Sequence, residues 1–250
     1  MTTIAANLQA VRARIAAAAR AAGRDPAHIA LVAVSKGFPV RCIAQARAAG
    51  QRAFGENYAQ EAVEKITALA DPALEWHFIG PIQANKTRLI AGCFHWVHSV
   101  ERAKIAQRLS AARPGELPPL QVLIQVNVSG ESSKSGVAPG EELPLAEAIV
   151  QLPRLKLRGL MAIPEPTADL ARLRRRFALL RERKEALVAR GFLLDTLSMG
   201  MSDDFEAAIL EGATLVRIGT AIFGPRPEGR AMERAANRAR IEEDTAPPNA

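Results

Sequence analysis

Lys36 is the residue of this sequence best placed for covalent chemistry. It closes the apolar run LVAVSKG (31–37) and shares one face of the predicted strand with Ala30, Val32 and Val34. Apolar walls there disfavour an ammonium ion and favour the neutral amine that an aldehyde needs. The alternative is a lysine that snorkels out at the rim. A second chemical feature is the stretch 193–225, LLDTLSMGMSDDFEAAILEGATLVRIGTAIFGP. It reads as strand, turn, helix, strand, turn. Both turns are rich in Gly, Ser and Thr, and Ser202, Gly219 and Thr220 offer backbone amides and hydroxyls suited to a phosphate. Arg217 precedes Gly219 by two residues and faces the same way. It suits an anion or a heteroaromatic nitrogen, or else an ion pair with a strand-end carboxylate such as Glu56.

These groups meet only if the elements carrying them converge. Eight apolar runs, 28–37, 52–57, 75–81, 94–100, 120–128, 156–164, 196–201 and 215–223, alternate with helical segments. Most are continuous rather than alternating, as in a parallel sheet covered on both faces. The fold class expected is α/β, a (β/α)8 TIM barrel with an extra N-terminal helix; a doubly wound open sheet is the competing layout. In a barrel, chemistry collects where the strands end, and phosphate sites recur after strands seven and eight. A helix over 203–211 is expected, capped by Ser202. Residues 1–228 make a single barrel domain, and 229–250 a polar tail, helical or disordered.

Composition narrows the function classes. The chain has 250 residues, 48% of them hydrophobic, enough for a full core. No apolar run approaches the roughly 18 residues that span a bilayer, so no membrane association is expected. Residues 1–24 lack acidic side chains, as transit peptides do. Ile4, Leu8, Val11 and Ile15 instead form the stripe of a helix packed on the domain. The net charge of +7 permits nucleic-acid binding. The densest basic run, 172–190, nevertheless reads as a helix with arginines on its solvent face, and with 4% aromatic residues stacking platforms are scarce. Cys42 and Cys93 form no CxxC pair. His95 and His98 fall in one strand on opposite faces, against a shared metal. A cytoplasmic protein without a metal is expected.

The segments LVAVSKG (31–37), FGENYAQE (54–61), WHFIGPIQANK (76–86), VHSV (97–100), QVNVSGESSKSG (125–136), RGLMAIP (158–164), LSMGMSDDFEAAI (197–209) and VRIGTAIFG (216–224) run through nearly the whole chain. In that order they resemble the fold-type III pyridoxal 5′-phosphate (PLP) barrels, among them alanine racemase. The resemblance is closer still to the pyridoxal phosphate homeostasis proteins of the YggS/PROSC type. It implies that Lys36 holds PLP as a Schiff base. It also implies that Ser202, the Met201 backbone, Gly219 and Thr220 hold the phosphate, and that Arg217 faces the pyridine nitrogen. Asn57 would lie beside the cofactor, with Ile79 and Met199 as apolar neighbours.

The function implied is reversible PLP binding for intracellular homeostasis and delivery, without strong catalysis. A cation at the pyridine nitrogen makes the ring a poor electron sink, against transamination. Racemisation needs a second base, which the family's racemases supply from a tyrosine in a C-terminal β-domain. This chain ends with the barrel. Its single tyrosine, Tyr58, points away if Asn57 points inward. A PLP-dependent amino-acid racemase is the alternative, and a lysine-dependent aldolase a more distant one. The expected partners are PLP and apo PLP-dependent enzymes, the expected state a monomer. Lys134, in the loop after strand five, is a candidate for helping the aldehyde on or off Lys36.

Overall fold

The computed structural model describes residues 3–131 and 135–225. Lys134 and the tail 229–250 lie outside the described residues. Eight parallel strands close into a barrel in sequence order: β1 (Ala30–Val34), β2 (Ala53–Glu56), β3 (Glu75–Phe78), β4 (Trp96–Val100), β5 (Leu120–Gln125), β6 (Leu155–Met161), β7 (Thr196–Ser198) and β8 (Leu215–Ile218). β8 pairs with β1, with Val32 opposite Arg217 and Ala33 opposite Ile218. Closure is the event that matters for the site. It sets the first strand beside the last two, although about 160 residues of chain separate them.

The helices form the outer ring. α1 (Ile4–Ala21) begins at a Thr3 cap whose hydroxyl accepts from the Ala6 amide at 3.2 Å. It buries Leu8, Val11 and Ile15, the expected stripe. The remaining helices are α2 (Val40–Ala48), α3 (Ala59–Leu69), α4 (Thr87–Cys93), α5 (Ala103–Ala112), α6 (Glu142–Val150), α7 (Leu170–Val188), α8 (Phe205–Leu210) and α9 (Thr220–Phe223). α1 packs against α2, α8 and α9.

Strand alternation sorts side chains between two layers. Ala33, Phe54, Trp76, Val97, Val122, Leu160, Leu197 and Val216 point outward into one large core beneath the helices. Val32, Val34 and Ile79 point inward around Gly55, where an added Cβ would lie 3.0 Å from Val32 and 3.1 Å from Ile79. Trp96, Leu123 and Met161 make a separate apolar cluster inside the barrel.

Two local expectations are corrected. The run 215–223 is not one strand: β8 ends at Ile218 and the chain turns at Gly219 into α9. The Gly219 carbonyl accepts from the amides of Ile222 and Phe223, each at 2.9 Å, which winds AIF as a helix despite its β-branched content. Secondly, α8 starts at Phe205 with Asp204 in the cap position, so Ser202 does not cap it.

Arg172, Arg174 and Arg175 of α7 are exposed, as expected, and several of the helix's arginines also form ion pairs. Arg176 is buried and binds the Glu165 carboxylate at 2.7 Å and its carbonyl at 2.9 Å. Arg174 and Arg181 both reach Glu211, at 2.7 and 3.0 Å, tying α7 to α8. Replacing Glu211 with Gln should lower stability by about 1–2 kcal/mol, the scale of a charge-assisted hydrogen-bond pair at a partly exposed site. Urea unfolding of the two proteins measures it as a shift in midpoint at constant slope.

Candidate functional site

The site forms at the C-terminal ends of β7, β8 and β1, adjacent in the closed sheet. Lys36 is half-buried, two residues past β1 on the face of Val32 and Val34. Its neighbours are pinned on both sides. The Ser35 amide donates to the Gly55 carbonyl at 2.9 Å, and its hydroxyl donates to Glu56 Oε1 at 2.7 Å. The Ser35 carbonyl accepts from Lys65 Nζ at 2.8 Å. The Gly37 amide donates to Glu61 Oε1 at 2.6 Å. Four hydrogen bonds therefore bracket Lys36, fixing the chain on either side of it and with it the point from which the amine extends.

Lys65, Glu56 and Glu61 make this bracket. Lys65 Nζ sits 2.5 Å from Glu56 and 2.9 Å from Glu61, and the Lys65 and Glu56 side chains are nearly or fully buried. Burial pushes the Glu56 carboxyl up, and Lys65 pulls it back. Glu56 thus faces outward to Lys65 and is not the partner of Arg217. The Glu61–Lys65 spacing of i,i+4 was legible as a helical ion pair. What hid the cluster was Glu56, whose outward parity on β2 carries it beneath α3.

Arg217 lies inside the barrel, buried. Its Nη1 donates to Ser198 Oγ at 2.6 Å and its Nη2 to the Ala162 carbonyl at 3.0 Å. Burial lowers its pKa to about 10, against the field of Asp204, so it stays a cation at neutral pH.

The two turns after β7 and β8 supply open donors. Among the described residues, the amides of Ser202, Asp203 and Thr220 donate to no protein group. The hydroxyls of Ser202 and Thr220 lie beside them, and Ser202 Oγ accepts from the Ala221 amide at 3.3 Å, linking the turns. The Met201 amide is already taken by Asp204 Oδ1 at 2.5 Å, so the expected role of the Met201 backbone does not match this geometry. Gly200 turns with φ +94°, where a Cβ would strike Ala208 at 2.8 Å and Phe205 at 2.9 Å.

Asn57 follows β2, and its Oδ1 is buried with no hydrogen-bond partner among the described residues. Such an atom calls for a polar group from a ligand or solvent. Ile79 lies inside the barrel beside Val32. Met199 departs from expectation: Ser198 takes the inward position, and the Met199 side chain is fully buried in the core under the helices. It does not line the site. Sequence reasoning also passed over His77, His98 and Ser198, all buried. Their signal was parity: His77 shares a face with Ile79, and Ser198 with Gly200. His95 turns outward and accepts from the Trp76 amide at 3.0 Å, so it parts from His98.

An amine bracketed at the end of strand one, open amides at strands seven and eight, and an inward arginine define the lysine-bearing barrels of the alanine racemase type. The family described as "Alanine racemase, N-terminal domain" matches residues 6–227. Two curated relatives carry the name pyridoxal phosphate homeostasis protein. That of Pseudomonas aeruginosa is 65% identical over 230 residues, 92% of this chain and 98% of its own. That of Escherichia coli K12 is 55% identical over 232 residues, 90% of this chain and 98% of its own. Among solved structures, PipY of Synechococcus elongatus with PLP bound is 36% identical, with a TM-score of 0.77 over 89% of this chain and all of that one. This chain belongs to the pyridoxal phosphate homeostasis protein family.

Proposed function

We propose that this protein binds PLP through Lys36 and holds and hands on that cofactor in the cytoplasm, without strong catalysis of its own. The observation that carries the reading is the convergence at one barrel end of the bracketed Lys36, the unpaired amides of Ser202, Asp203 and Thr220, and buried Arg217. The partnerless Asn57 Oδ1 fits the same ligand. Two homologues named for pyridoxal phosphate homeostasis and a PLP-bound structural relative support it.

PLP, when bound, supplies an aldehyde that condenses reversibly with amines and a ring that withdraws electrons. Lys36 would hold the cofactor through its amine, the group with which that aldehyde condenses. Ser202, Asp203, Gly219 and Thr220 take the phosphate, with exposed Thr220 at the outer edge. Arg217 would face the pyridine nitrogen, where its positive charge would disfavour a proton. Weak electron withdrawal follows, which suits storage better than turnover at an amino-acid carbon. Apo PLP-dependent enzymes are the recipients in this reading, and the protein acts as a monomer. Among the described residues, no helix is long and apolar enough to cross a membrane.

The competing reading is an amino-acid racemase, favoured by the family description. It needs a second proton-transfer group opposite Lys36. Tyr58, the single tyrosine, is 41% exposed where α3 begins.

Adding PLP to the purified protein should produce a visible absorption band. Borohydride should remove it and fix the added mass on the peptide bearing Lys36. A protein that takes up no PLP overturns the reading. Incubation of the loaded protein with L-amino acids, followed by chiral chromatography, separates the two: accumulation of D-isomers at an enzyme's pace establishes the racemase.

A further inference from the structure

A hydrogen-bonded chain runs through the barrel interior from its bottom rim to Arg217. Glu75 opens β3 at the N-terminal rim, its side chain 46% exposed. Its Oε1 lies 2.8 Å from His77 Nε2. His77 Nδ1 lies 3.0 Å from His98 Nε2. His98 Nδ1 lies 2.9 Å from Ser198 Oγ, which accepts from Arg217 Nη1 at 2.6 Å. His77, His98 and Ser198 are fully or almost fully buried. Five side chains from four strands are thus joined end to end.

With the Glu75 carboxyl ionised and both rings neutral, one arrangement of protons satisfies every link. A guanidinium only donates, so Ser198 Oγ accepts from Arg217. The Ser198 proton then points to His98 Nδ1, which must be bare. Neutral His98 carries its proton on Nε2 and donates it to His77 Nδ1. That leaves the His77 proton on Nε2, where it donates to the Glu75 carboxylate. Every bond runs in one direction, from a cation at the site to an anion at the rim. Such chains polarise cooperatively, each bond strengthening the next.

The surroundings favour the neutral rings this requires. Burial lowers the His77 pKa against the pull of Glu75. His98 is held well below the usual histidine range by burial first, then by His77 and Arg217. The bond from His77 holds the Glu75 carboxyl down. Trp96 stacks on His77 with ring centroids 5.5 Å apart and planes 11° from parallel, and it meets His98 edge-on at 6.1 Å. These contacts fix the ring planes that the hydrogen bonds need. On its other side Arg217 faces the Ala162 carbonyl and the field of Asp204.

We propose that Glu75, His77, His98 and Ser198 are positioning residues for Arg217: the chain fixes the orientation of its guanidinium and couples the charge of Glu75 at the rim to the ligand site. What Arg217 meets there rests on the PLP reading; the chain itself does not. A packing role would need only shape. A coupled chain needs hydrogen-bond acceptors in the right order, and that difference is testable.

The test is nitrogen-15 NMR of the histidine rings and of the Arg217 guanidinium in the PLP-free protein, followed by visible spectra after PLP addition. Wild type should show His77 and His98 neutral, both protonated on Nε2. In Glu75→Leu, which removes the terminal acceptor, the His98 and Arg217 signals should move although neither residue touches position 75. Glu75→Gln keeps an acceptor without the charge and should hold the tautomers while the signals shift less. Ser198→Ala should displace the Arg217 signal and the PLP band maximum, and Ser198→Thr, which restores the hydroxyl, should recover both. Mixed tautomers in wild type, or His98 and Arg217 signals unmoved in Glu75→Leu, overturn the proposal. If the NMR pattern holds and PLP fails to bind any variant or wild type, the PLP reading falls while the chain stands.

Discussion

Replacing Lys36 with Ala should abolish the visible band that PLP gives with the wild-type protein. No other amine among the described residues is bracketed at this barrel end; Lys65, the nearest in the fold, is buried behind Ser35 and engaged by two carboxylates. The variant keeps Ser202, Asp203, Thr220 and Arg217, so PLP or pyridoxine phosphate can still dock, but without a bond that borohydride fixes. Affinity should fall at least about tenfold, or about 1.4 kcal/mol. The rise in Tm that saturating PLP gives the wild type should shrink accordingly. The unliganded fold should change little, because Lys36 is half-buried and lies past the strand end. Absorbance titration and thermal melts with and without PLP measure both quantities. A variant that retains a borohydride-sensitive band would place the attachment elsewhere in the chain.

Replacing Lys65 with Met should destabilise the protein by about 3–5 kcal/mol, the usual cost of removing one partner of a buried ion pair. For a chain of this size that is a fall in Tm of roughly 6–20 °C. The reason is Glu56, which has 0% side-chain exposure and already has one oxygen, Oε2, without a hydrogen-bond partner among the described residues. Without Lys65, nothing offsets its burial. Its folded-state pKa, already raised, then rises further above the unfolded value. A carboxyl raised on folding binds its proton more tightly in the native state, so stability increases as pH falls through that raised pKa toward the unfolded value. The deficit should therefore be smaller in mildly acid than in mildly alkaline solution. The double variant Glu56→Leu with Lys65→Met, which removes both charges, should recover part of the loss. PLP uptake should weaken in Lys65→Met even below its melting range, since the Ser35 carbonyl next to Lys36 loses its donor. A single variant melting within 2–3 °C of wild type, about 1 kcal/mol, would show that the pair is not holding this corner.

The barrel was legible because its elements are local. A run such as LQVLIQ can be read as a buried strand without knowing its neighbours, and all eight strands fall within the runs expected or one residue outside them. Lys36, Arg217 and the two turns were legible for a related reason: each sits at an element end, where residue type and parity already limit its role. Two of the misreadings arose where local hydrogen bonds decide the form of a turn, and the third where tertiary bonds decide which side chain faces inward. The amides of Ile222 and Phe223 close on Gly219 and wind a β-branched segment into a helix. Asp204 takes the Met201 amide and displaces Ser202 as the start of α8. Met199 goes outward because Ser198 is drawn in by Arg217 and His98.

The sequence by itself determined the number and order of the strands, the lysine that ends the first of them, and the donor-rich turns that end the last two, because these depend on periodicity and short-range turn chemistry. Only the tertiary structure decided which charges meet. Closure of the sheet put β8 against β1 and so Arg217 beside the strand of Lys36. Helix α3, laid over β2, put Lys65 onto Glu56. The inward faces of β3, β4 and β7 lined up Glu75, His77, His98 and Ser198 behind Arg217. A charge or hydrogen bond is satisfied by whatever lies within about 3 Å of it, and that distance is set by how strands are arranged around the barrel, not by their separation along the chain.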